Sequence, residues 1–150
     1  IGVADAALAP LMAGVFRNRG DRALVFRGGD GLDELTVTAP SDVWEVRDGE
    51  IQEHSLDPLD LDMPRATVED LRGRDAIYNA GVVRDVLDGA PGHVRHAVLL
   101  NAAAGLVAAE ESAEGSFMDR FASALRRAEE AVDSGAARDV LARWVAFAAE

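Results

Sequence analysis

The residues best suited to chemistry lie together in one segment, Gly28-Gly29-Asp30-Gly31-Leu32-Asp33-Glu34, where three glycines are interspersed with three carboxylates. Glycine lets a backbone turn sharply and approach a ligand closely. Carboxylates are hard oxygen donors. Mg²⁺ commonly takes one or two of them and keeps its other positions for water and substrate phosphates. Asp33 and Glu34 are adjacent, so in a regular strand their side chains would point to opposite faces. Both reach one ion only if the chain bends there, which the glycines permit. On spacing alone the segment fits two readings. It is a metal-holding loop, or it is a solvated turn, since Asp-Gly is a common turn pair and loop carboxylates often face water.

The elements around this segment decide where it sits. Ala23-Leu24-Val25-Phe26 is a short apolar run bounded by charge and glycine, the pattern of a buried strand. Before it, Asp5 to Gly20 reads as a helix, with Leu8, Leu11, Met12, Val15 and Phe16 at helical spacing, Pro10 near the first turn and Gly20 as the stop. A helix followed by a buried strand predicts an α/β layer fold with a partly parallel sheet. Ligands in such folds gather beyond the carboxyl ends of strands, and the glycine-carboxylate segment follows such an end. Thr36-Val37-Thr38 is expected as a further short strand. Val43 to His54, broken by Asp48-Gly49, carries a hairpin signal with a two-residue type I′ turn, placed near a sheet edge. Trp44 is expected to pack and His54 to lie on the strand surface.

Ser55 to Ala66 reads as a solvated acidic loop, and Thr67-Val68-Glu69-Asp70 as a capped helix start. Four helices are then predicted. The first runs from Asp75 to Leu87, with Ile77, Ala80, Val83 and Leu87 inward. The second, His93 to Ala109, is apolar nearly all round and so should be the most buried. Asn101 within it must find partners, most naturally backbone groups. His93 and His96 lack a third nearby ligand and read as surface residues. The third helix opens at a Ser116 cap with Asp119 at the capping-box offset, and Phe117, Phe121, Leu125 and Val132 face inward. Ser134 can cap the fourth, whose inner residues are Val140, Leu141, Trp144 and Val145, while Gly135 can instead close the third.

Composition sets outer limits. The 150 residues are one domain's worth, 49% hydrophobic. The net charge of −12 argues against nucleic acid or an anionic membrane as partner. Every basic residue is Arg, and without Cys neither disulfides nor thiolate sites arise. No apolar run reaches membrane-spanning length and no signal peptide is seen, so the chain reads as cytoplasmic. Its opening, Ile1-Gly2-Val3, is strand-like and lacks an initiator Met, which reads as a piece of a longer chain.

Gly31-Leu32-Asp33-Glu34-Leu35-Thr36 after an apolar strand, Asn101-Ala102-Ala103-Ala104 in an apolar helix, and Asp133-Ser134-Gly135-Ala136-Ala137 before a final helix together resemble the anthranilate phosphoribosyltransferase family, in the order and spacing of its C-terminal part. The resemblance covers the whole chain. It implies an α/β fold of the nucleoside phosphorylase/phosphoribosyltransferase kind: a partial mixed sheet with an edge β-hairpin, flanked by helices. Residues 1–150 would form a single domain, the C-terminal part of that α/β domain. It implies transfer of phosphoribosyl from phosphoribosyl pyrophosphate to anthranilate, with release of pyrophosphate, in tryptophan biosynthesis. By the same resemblance Asp33 and Glu34 hold Mg²⁺, the role not extending to Asp30, and the parent enzyme is a homodimer.

Much of that family's site has no counterpart here. The Gly-Thr-Gly-Gly-Asp pyrophosphate loop, the Lys-His-Gly-Asn segment and the Arg that contacts anthranilate do not occur in these residues. Arg27 stands where the family commonly has His. The chain by itself is therefore expected to be inactive. Two other readings stay open: an inert isolated domain, and a paralogous transferase or pyrimidine-nucleoside phosphorylase with another acceptor.

Overall fold

The computed structural model describes residues 1–111 and 114–149. Helix α1 (Leu8–Arg19) leads into strand β1 (Ala23–Gly28), followed by the hairpin β2 (Ser41–Arg47) and β3 (Glu50–Leu56). Helices α2 (Ala76–Leu87), α3 (His93–Ala109), α4 (Phe117–Asp133) and α5 (Ala136–Ala148) complete the chain.

The three strands form an antiparallel sheet in the order β1-β2-β3, with Val25 opposite Trp44 and Trp44 opposite Glu53. On its other side β1 meets the chain start in a parallel bridge, Gly2 to Phe26, closed by Val3 N–H to Phe26 O (2.9 Å) and Phe26 N–H to Ile1 O (3.0 Å). Helix α1 makes the crossover between these parallel pieces. β1 is thus flanked in both senses and the hairpin lies outermost, in agreement with the mixed-sheet expectation. Asp48 and Gly49 turn the hairpin with φ of 52° and 78°, the positive pair a type I′ turn needs.

Both faces of β1 are covered, which is why its sequence is apolar without alternation. Leu24 and Phe26 point into the main core with Val43, Leu56, Leu99, Leu100 and Phe121. Ala23 and Val25 point the other way, against Ala9, Ala13, Val3 and Val46. α3 is the central helix, burying Leu99, Leu100, Ala103, Ala104 and Val107. α4 begins at the Ser116–Asp119 capping box and buries the expected apolar stripe.

Several expectations need correction. α1 buries Ala9 and Ala13, with Met12 and Phe16 partly buried against the same cluster, while Leu8, Leu11 and Val15 stay exposed, because the face turned to the sheet is centred on the two alanines. α2 buries Val86 alone and leaves Ile77 exposed. No residue of α5 is buried, and Val140, Trp144 and Val145 face out. Thr36-Val37-Thr38 is not a strand but a series of loop bends. Thr67 and Asp70 cap each other as expected, yet only a single 3-10 turn follows. His54 is no surface residue: its ring stacks on Phe117 at 4.1 Å and its Nε2 lies 3.2 Å from Glu45. His93 and His96 are half-buried rather than exposed.

Candidate functional site

The glycine-carboxylate segment leaves the carboxyl end of β1 and returns at the start of β2. Its neck is closed by Gly29 N–H to Pro40 O (2.9 Å). A Cβ at residue 29 would stand 2.5 Å from that same carbonyl, so this approach demands glycine. Within the loop, Gly28 N–H donates to Leu32 O (3.0 Å) and Gly31 N–H to Gly28 O (2.9 Å).

Asp30 organises the interior. One carboxylate oxygen accepts from the hydroxyls of Thr36 and Thr38, both at 2.6 Å, and the other accepts from Leu32 N–H at 3.1 Å. Burial by itself pushes this carboxyl up. The Thr36 and Thr38 hydroxyls and the Leu32 amide outweigh it, holding Asp30 below the ordinary aspartate value and ionised. Its oxygens are thus spent on the loop itself.

Asp33 and Glu34 differ in kind. Both are exposed, and neither side chain has a hydrogen bond or ion pair among the described residues. The backbone bends at both positions, the condition under which adjacent carboxylates can serve one ion. Immediately after them the chain dives inward: Leu35 is 1% exposed and Val37 fully buried, both in the main core. Leu35 is held in both directions by Asn101 of α3, whose Oδ1 accepts from Leu35 N–H (3.1 Å) and whose Nδ2 donates to Leu35 O (2.9 Å). The result is a free, anionic tip on an anchored stem.

Beside the tip lies an open cavity of about 430 Å³ between the loop and α3, bordered by Glu34, Leu35, Thr36, Val98 and Asn101. The donor set at the tip suits a hard cation that takes few protein ligands. Among the described residues no cluster of three or more His, Asp or Glu could enclose a metal. Two exposed carboxylates are the kind of donor set that Mg²⁺ takes, the ion keeping waters and phosphate oxygens in the rest of its shell. Arg27 does not reach the carboxylates. Its Nε donates to Ala4 O (2.9 Å), tying the chain start to the loop base.

Sequence reasoning missed the parts of the site that come from elsewhere, the Asn101 clamp on Leu35 above all. The polar residue in an apolar helix was the one available signal, and it pointed to a backbone bond without naming which.

The glycosyl transferase family, a/b domain, matches residues 1–138. The anthranilate phosphoribosyltransferase of Arthrobacter sp. (strain FB24) is 62% identical over 147 residues, which is 98% of this chain and 42% of that protein. The corresponding enzyme of Streptomyces griseus is 56% identical over 146 residues, 97% of this chain and 41% of that one. The chain thus spans about two-fifths the length of these relatives. Among solved structures, the anthranilate phosphoribosyltransferase of Thermus thermophilus superposes with a TM-score of 0.83 at 33% identity, over 97% of this chain and 41% of its own. The Saccharomyces cerevisiae enzyme in complex with PRPP and Mg superposes at 0.75 with 20% identity, over 89% and 38%, a likeness of fold.

Proposed function

The chain belongs to the glycosyl transferase family, a/b domain, and on that premise we propose that it is the C-terminal part of the α/β domain of an anthranilate phosphoribosyltransferase. The whole enzyme would move phosphoribosyl from phosphoribosyl pyrophosphate to the amino group of anthranilate, release pyrophosphate, and serve tryptophan biosynthesis. We take that enzyme to be cytoplasmic and homodimeric. The observation that carries the reading at the site is the bent, unengaged Asp33–Glu34 pair at the carboxyl end of β1, in a chain 62% identical to a named relative.

Asp33 and Glu34 would hold Mg²⁺. The bound ion supplies positive charge against the phosphates and the departing pyrophosphate. The chain's own part is to keep two carboxylates at an exposed tip while the residues beside them are fixed. Asp30 and the loop's backbone bonds hold the stem in one shape. Leu35 and Val37 anchor it in the core. A backbone held in this way adds little ordering cost when the tip meets a ligand, which leaves the two side chains to be ordered.

The test is steady-state kinetics on the full-length protein as Mg²⁺ is varied. Asp33→Asn with Glu34→Gln should lower turnover by roughly 10²–10³-fold, several kcal/mol of transition-state stabilisation. The protein should stay folded, because the side chains touch solvent and not the core. Each single variant keeps one anchoring carboxylate and should recover in part as Mg²⁺ rises. The 150-residue chain alone should show no detectable transfer. Unchanged turnover in the double variant would return Asp33 and Glu34 to the solvated-turn reading.

A further inference from the structure

We propose that Asn101 is a positioning residue for the Asp33–Glu34 pair, coupling helix α3 to the metal-holding tip; this rests on the Mg²⁺ reading above. α3 is apolar nearly throughout and is packed by its leucines and alanines. Asparagine is a poorer helix former than alanine, so nothing in folding the helix favours it. Its amide instead makes three hydrogen bonds. Oδ1 accepts from Leu35 N–H (3.1 Å), and Nδ2 donates to Leu35 O (2.9 Å) and to Ala97 O (2.9 Å).

Two of these bonds grip a single residue through its donor and its acceptor, as a neighbouring strand would. Leu35 lies in no strand and is 1% exposed, so its buried backbone depends on this side chain. The Leu35 N–H belongs to the peptide plane that carries the Glu34 carbonyl. Fixing that plane limits the backbone of Glu34 and with it the direction of its carboxylate. The other side of the pair is held from within the loop, by Asp30 and Gly28 on Leu32. Asn101 braces the residue next to the pair from another element, 66 residues along the chain. Both its amide hydrogens are spent on backbone carbonyls, which leaves it no donor for a substrate in the adjoining cavity.

Outer partners that orient metal ligands typically change metal affinity by roughly 10–100-fold when removed. The experiment uses the full-length protein and Mn²⁺ as probe, with inorganic pyrophosphate present. Binding is read from the free-Mn²⁺ EPR signal and stability from thermal unfolding. Asn101→Leu, of similar volume but unable to pair with Leu35, should weaken Mn²⁺ binding by that factor. Val46→Ala, in the second core cluster, should lower the unfolding midpoint while Mn²⁺ binding stays at the wild-type value. In an Asp33→Asn/Glu34→Gln background, Asn101→Leu should weaken residual binding no further. Should Asn101→Leu not fold, Asn101→Ser, which keeps one hydroxyl for Leu35, carries the same comparison with a smaller loss.

Wild-type Mn²⁺ affinity in the Asn101 variants, with the carboxylate variant weakened, would overturn the positioning role alone. So would an equal further loss in the carboxylate-free background. Wild-type affinity in Asp33→Asn/Glu34→Gln would overturn the metal reading itself, and the positioning role with it.

Discussion

At the scale of single residues, the loop is shaped by close approaches as well as by hydrogen bonds. Gly2 is the sharpest case. A Cβ there would collide with the Asp33 carbonyl, and the blocking atoms belong to backbone that no rotamer change can move aside. The chain start thus presses against the very residue whose side chain is offered to solvent. Gly2→Ala must displace either the bridge to Phe26 or the Asp33 backbone. We expect a cost of about 1–3 kcal/mol, read by urea unfolding of the full-length protein, together with an altered Mg²⁺ dependence of turnover. A variant with wild-type stability and Mg²⁺ response would mean that the two segments separate freely. Asp30 shows how type alone misleads at this scale. Three carboxylates look alike in the sequence, yet one is wholly committed to Thr36, Thr38 and Leu32.

At the scale of elements, a buried ionic group fastens the outer hairpin to the helical layer. Glu45 of β2 is 3% exposed. It accepts two bonds from Arg120 of α4, both at 2.7 Å, and one from Arg47 at 3.2 Å. Arg47 in turn donates to Val107 O and Glu110 O at the end of α3, where Val107 O also accepts from Glu110 N–H (3.3 Å). Burial by itself pushes Glu45 up; the bonds from Arg120 and Arg47, with their positive charge, outweigh it and hold the carboxyl below the ordinary glutamate value. A carboxyl depressed in the folded state stabilises above its unfolded value, roughly pH 4.3. That contribution is lost as pH falls through the depressed value, since the unfolded chain then binds the proton first. Arg120→Met strips the bidentate partner and leaves a buried charge short of compensation. It should cost about 3–5 kcal/mol near neutral pH and move the acid-unfolding midpoint to higher pH. Circular dichroism across an acid titration checks both. An unchanged midpoint would show that Arg47 and His54 suffice to hold the carboxylate.

At the scale of the whole molecule, the helices furthest from the sheet are the least covered. Ile77 is 87% exposed, Phe147 75% and Trp144 69%, and a groove of about 620 Å³ runs between α2 and α5. Large apolar side chains stand exposed on both helices, and Val83 and Val145 line the groove between them, a surface suited to association. The 150-residue chain in isolation is expected to bind an apolar dye and to associate as its concentration rises. Trp144→Glu with Phe147→Glu should reduce both while changing stability by no more than about 0.5 kcal/mol, as for exposed positions generally. Light scattering and dye fluorescence decide it. A clean monomer at high concentration that leaves the dye dark would remove the basis for this expectation. No described helix is long and apolar enough to cross a membrane.

The features legible in the sequence are those set by neighbours along the chain. Asp75 and Ser116 begin their helices because a side-chain oxygen meets an amide three residues on. Gly20 ends α1 in the left-handed conformation, and Asp48-Gly49 turns the hairpin for the same backbone reason. The burial of α3 followed from its lack of a polar face. At the candidate site, the glycines, the paired carboxylates and their position after a buried strand were likewise local. Periodicity could not say which side of α1, α2 or α5 would be covered, because that depends on what lies opposite. α1 meets the sheet through two buried alanines flanked by Met12 and Phe16, and no residue of α5 is buried among those described. Nor could the sequence join Glu45 to Arg120, 75 residues away, or Leu35 to Asn101, 66 residues away. Those pairings exist only once packing has brought α3 and α4 onto one face of the sheet. The second of them fixes the stem of the loop beneath two exposed carboxylates.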